Sequence, residues 1–76
     1  MKTYRITTKD NRCITVTASS YATAAIIGAR KLYRRRTLTA LRTTGSMNMS
    51  GYFSAYEQLR GGLNSVGVAF HVSEND

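Results

Sequence analysis

The chain has 76 residues, with 11 Lys and Arg against 4 Asp and Glu, a formal charge of +7 and a pI near 10.2. That is one small basic domain spanning 1–76, which excludes a multidomain architecture; a fold this size hides only about 60% of its unfolded surface, so pairing with a partner or a second copy is expected. One cysteine, Cys13, cannot close an internal disulfide, and no stretch approaches the roughly 18 apolar residues of a membrane span, so the expected setting is cytoplasmic and away from the membrane.

Thr3 to Thr8 alternates Tyr4 and Ile6 with Arg5 and Thr7, and Cys13 to Thr17 alternates Ile14 and Val16 with threonines. With Lys9-Asp10-Asn11-Arg12 between them, the two runs predict a β-hairpin with one apolar and one hydroxyl-bearing face. After Ala18 the period changes. Ser19 and Ser20 are candidate N-caps, and Ala22, Ala25, Ile26, Ala29, Leu32 and Tyr33 follow the spacing of one helical face. Thr23, Ile27, Arg30, Lys31, Arg34 and Arg35 are expected on the solvent side, and Gly28, Ile26 and Ile27 weaken the helix in isolation, so it depends on packing.

Thr37 to Thr44 predicts a third strand, and Gly45 to Gly51 a loop whose Met47 and Met49 fold back on the core. Tyr52 to Arg60 fits two periods, a helix through Tyr52, Tyr56, Leu59 and Leu63 or a strand through Phe53, Ala55 and Leu59; the strand is preferred. Gly61-Gly62-Leu63-Asn64 then turns the chain into a last strand in which Val66, Val68, Phe70 and Val72 alternate with Gly67, Ala69 and His71. The expected fold is α+β in two layers, one helix packed on an antiparallel sheet in the order ββαβββ.

The charge is not spread evenly. Between residues 11 and 56 every charged side chain is positive: Arg12, Arg30, Lys31, Arg34, Arg35, Arg36 and Arg42. One or two cations at a helix C-terminus stabilise its free carbonyls by about 0.3–1 kcal/mol each. Five between Arg30 and Arg36 repel one another, and arginine's planar fork suits phosphate or carboxylate. These seven residues are the candidate surface for nucleic acid, a ribonucleoprotein or an acidic protein patch. Tyr33, Tyr52 and Tyr56 are candidate stacking platforms, although core packing is the preferred place for each.

Most chemistry is excluded by composition. Four acids spread over the termini and one strand supply neither a facing carboxylate pair nor a two-metal site, and one His with one Cys cannot make a tetrahedral zinc site. Cys13 and His71, on outward strand positions, are the one conceivable nucleophile–base pair, and each is better read as an ordinary strand residue. No phosphate-binding glycine loop or nucleophile elbow occurs, so a protein that is not an enzyme and needs no cofactor is expected.

Tyr4-Arg5-Ile6-Thr7, the passage Ile14-Thr15-Val16-Thr17-Ala18-Ser19 running into Ala22, Ala25 and Ala29, and the strand meander after the helix together resemble small phage-encoded inhibitors of the anti-CRISPR kind. The resemblance implies a non-enzymatic protein that occupies the nucleic-acid-binding surface of a CRISPR ribonucleoprotein. The basic charge departs from inhibitors that mimic DNA with acidic surfaces and implies contact with guide RNA, acidic protein or DNA. Three readings follow: a basic module binding nucleic acid or nucleoprotein, an inhibitor recognising a protein partner, and a self-assembling module that extends a sheet through an exposed last strand.

Overall fold

The structure, a computed structural model, describes residues 1–42 and 45–75. Period-two alternation forms the first hairpin: Tyr4, Ile6 and Thr8 of β1 (Lys2–Thr8) and Val16 and Ala18 of β2 (Cys13–Ala18) are buried on one face. The turn between them is a three-residue one in which Asn11 takes the left-handed conformation, φ 66°, that asparagine tolerates. Its N–H donates to the Thr8 carbonyl at 3.2 Å, and the Thr8 N–H donates to the Arg12 carbonyl at 2.8 Å.

Helix α1 (Tyr21–Tyr33) starts where Ser20 accepts from the Thr23 N–H at 3.2 Å, so the second of the two candidate serines is the cap. Its buried residues are Ala24, Ala25, Gly28 and Ala29. The face is therefore rotated from the predicted one: Ala22 lies at its margin, and Ile27, expected in solvent, packs against the core. The reason is the approach of the helix to the sheet at Gly28, where an added Cβ would come within 2.0 Å of Ile6 Cδ1.

Strands β3 (Leu38–Leu41), β4 (Gly51–Leu59) and β5 (Gly62–Glu74) complete a five-stranded, wholly antiparallel sheet in the order β2-β1-β5-β4-β3. The α+β two-layer arrangement, ββαβββ, is as expected, and Tyr52 to Leu59 is strand. Its alternative helical period loses because Phe53 and Ala55 are fully buried at alternate positions, Phe53 directly opposite Phe70. Burying each of those rings stabilises the fold by about 1.5–3 kcal/mol. The predicted third strand ends early, at Leu41; its last two positions, Thr43 and Thr44, lie outside the described residues.

The last strand meets only in part the exposed edge that sheet extension would need: Phe70 to Glu74 pair with β1, whereas Gly62 to Ala69 pair with β4 alone. β5 is central, between β1 and β4. Pairing with β1 stops at Thr8↔Phe70, so Gly62 to Ala69 run on past the β1–β2 turn as one arm of a projecting β4–β5 hairpin. Ser54↔Ala69 and Tyr56↔Ser65 leave Ala55 facing Val66, Gly67 and Val68, a bulge that Gly67 makes feasible with φ +76°. Among the described residues no helix is long and apolar enough to cross a membrane.

Candidate nucleic-acid interface

The topology gathers charge at one end of the molecule. The β1–β2 turn, the C-terminal end of α1, the segment leading into β3 and the tip of the β4–β5 hairpin carry Lys9, Arg12, Arg30, Lys31, Arg34, Arg35, Arg36 and Arg60. Among the described residues, only Asp10 and Glu57 accompany these eight cations. Glu74, in contrast, pairs with Lys2 at 3.2 Å near the other end of β1.

Arg12 is brought to the helix by the first hairpin. Its guanidinium donates to the Leu32 carbonyl at 3.3 Å, lies 5.3 Å from the centroid of the Tyr33 ring and pairs with Asp10 at 3.1 Å. The Thr8 hydroxyl, followed by Arg12, holds the Asp10 carboxyl below its usual pKa. A depressed value means that the charge is kept above the carboxylate range, and that this contact is lost only as pH falls through the lowered pKa. Arg30 donates from Nε to the Leu38 carbonyl at 2.8 Å, tying the helix to the start of β3. Arg35 meets Glu57 of β4 at 3.4 Å.

Lys31, Arg34 and Arg36 are exposed, and among the described residues no carboxylate lies within salt-bridge distance of them. Arg34 is the helix C-cap and sits in the left-handed region, φ 54° and ψ 38°. Arg42, the seventh predicted residue, is not part of this group. It lies past the far end of β3, where its Nη1 donates to the carbonyls of Met49 at 2.9 Å and Ser50 at 3.1 Å. Its guanidinium sits 5.7 Å from the centroid of Phe53, against Gly45 and Gly51, and the Arg42 N–H donates to the Met47 sulfur at 3.5 Å. Arg42 thus organises the loop into β4. Met47 folds back on the core as expected, whereas Met49 is half exposed.

The all-positive stretch between residues 11 and 56 is partly neutralised from outside it, since Asp10 and Glu57 return to the cluster from other elements and give Arg12 and Arg35 each a carboxylate partner. Sequence reading missed Lys9 and Arg60, which join the group only because two hairpin turns point the same way. Arg60 and Gly61 form the turn between Leu59 and Gly62, so it is tighter than expected: Gly62, Leu63 and Asn64 already pair with β4. On the opposite sheet face Cys13, Thr7, His71 and Tyr52 form one cross-strand row, Tyr52 edge-on to His71 at 5.0 Å. Thr7 stands between Cys13 and His71, two strand spacings or about 9–10 Å apart, so they form no direct nucleophile–base pair. No protein-family model matches this chain, and no curated protein matches it.

Proposed function

We propose that this chain is a non-enzymatic basic binding module that attaches to nucleic acid, free or within a nucleoprotein, through the end of the molecule where α1 terminates. The observation that carries the reading is the grouping of eight cations with two carboxylates at that end, six of the cations, Lys9, Arg30, Lys31, Arg34, Arg36 and Arg60, being exposed and without a carboxylate partner among the described residues. Such a concentration of like charge raises the energy of the free protein and is relieved by a polyanion, whose condensed counterions are released on binding.

The experiment is a titration of a labelled oligonucleotide at several salt concentrations. Contact with about 4–6 phosphates gives a log–log slope of about −3 to −5, a loss of about 60- to 1000-fold in affinity between roughly 50 and 200 mM salt. Reversing Lys31, Arg34 and Arg36 to glutamate abolishes binding without unfolding the domain, while Arg5→Glu, away from the cluster, has a small effect. A triple variant that binds as the wild type does would refute the assignment. If the free protein ignores DNA and RNA at low salt but joins one acidic protein complex stoichiometrically, the inhibitor reading takes its place.

A further inference from the structure

The basic end is not a flat surface. Because β5 overshoots β1, a re-entrant corner opens between the β1–β2 turn, the end of α1 and the projecting hairpin. Two adjoining cavities fill it. One, of about 420 Å³, is lined by Tyr33, Leu38, Val66 and Val68, with Arg35 at its rim. The other, of about 190 Å³, runs between Tyr33 and Val68 to Lys9, Asp10 and Arg12 at the turn. Tyr33 and Val68 wall both, so the two make one trough with an apolar floor, Arg35 at one end, and Lys9 and Arg12 beside the Asp10 carboxylate at the other. The bulge at Val66–Val68 shapes the apolar side by setting three residues opposite Ala55.

We propose that this trough takes an unstacked base of a single-stranded nucleic acid, with the flanking phosphates on Arg12 and Lys9 on one side and Arg35 on the other. The inference rests on the nucleic-acid reading above and narrows it to a substrate class. A duplex presents phosphates to the cations but keeps its bases stacked inside, leaving the apolar lining uncovered. A single strand can turn a base out onto an aromatic side chain while its backbone stays within reach of the arginines. An acidic peptide is less well matched, because a strand places an anion and a flat apolar group in every repeating unit, which is the alternation the trough displays.

The test compares a thymidine oligonucleotide about 12 nucleotides long with a duplex of the same length at equal salt. The wild type binds the single strand at least about tenfold more tightly. Val66→Phe, which fills the larger cavity, and Tyr33→Leu, which removes the ring, each cost about tenfold or more for the single strand and leave duplex affinity unchanged. Thermal unfolding of both variants verifies the fold, and Val66, partly exposed, carries the test if the Tyr33 variant is unstable. Equal affinity for the two forms, or single-strand binding indifferent to Val66→Phe, overturns the trough while leaving the basic module standing. Absence of binding to either form removes both readings. Displacement of the oligonucleotide by polyglutamate, sensitive to Val66→Phe, overturns nucleic acid as the occupant.

Discussion

Arg34 holds a backbone conformation that is costly for any residue with a Cβ, about 1–2 kcal/mol above the right-handed region. A helix that ends in the left-handed region usually does so on glycine. An arginine there gives up stability for a charge at the helix end, beside Arg35 and Arg36. Arg34→Gly should therefore raise the urea midpoint, by up to about 1 kcal/mol in unfolding free energy, and at the same time weaken oligonucleotide binding. A variant that gains stability with no loss of affinity would separate Arg34 from the binding surface. The run Arg30–Arg36 was legible as a run, but its geometry was not. Residue spacing does not reveal that Arg34 bends the chain, that Arg35 finds Glu57 across the sheet, or that Arg42 is spent on the carbonyls of a loop. Each depends on contacts between residues distant in sequence or on local backbone strain.

At the scale of elements, the helix and sheet were readable because their periods differ, and both hairpins because Asp-Asn and Gly-Gly mark the turns. The seat of the helix was not readable. Gly28 looked like a weakness in helical propensity, whereas it is the point where α1 lies nearest to Ile6, a residue with no exposed surface. Gly28→Ala gains about 1 kcal/mol of propensity but forces the Ile6 Cδ1 methyl aside in a packed core, an overpacking cost of about 1–3 kcal/mol. The variant should be less stable by up to about 2 kcal/mol in urea unfolding. Ile6→Val removes that very methyl, so the double variant Ile6→Val/Gly28→Ala should recover part of the loss, a coupling that a double-mutant cycle measures. Additive effects would place the closest approach of helix and sheet elsewhere. The stagger of β5 past β1 was hidden for a related reason: strand length can be read from alternation, but register cannot when a bulge at Gly67 intervenes.

The whole molecule is electrically lopsided, and salt should act on it in two opposed ways. Repulsion among Lys31, Arg34 and Arg36, whose charges crowd one end, opposes folding at low ionic strength. It is screened once the Debye length shortens to about 10 Å at 0.1 M salt and further above that. The ion pairs Arg35–Glu57, Arg12–Asp10 and Lys2–Glu74 are screened too, but all three are on the surface and contribute little. Added sodium chloride should therefore stabilise the free protein, by about 0.5–1 kcal/mol between low and physiological ionic strength, while it weakens nucleic-acid binding over the same range. Urea midpoints at increasing salt, set beside the binding titration, measure both. The triple reversal to glutamate ties the two effects together. If the unpaired cations are the common cause, that variant loses the salt-induced stabilisation together with the binding; a wild type destabilised by salt would mean that the ion pairs dominate, and that the cationic end is not under strain awaiting a polyanion.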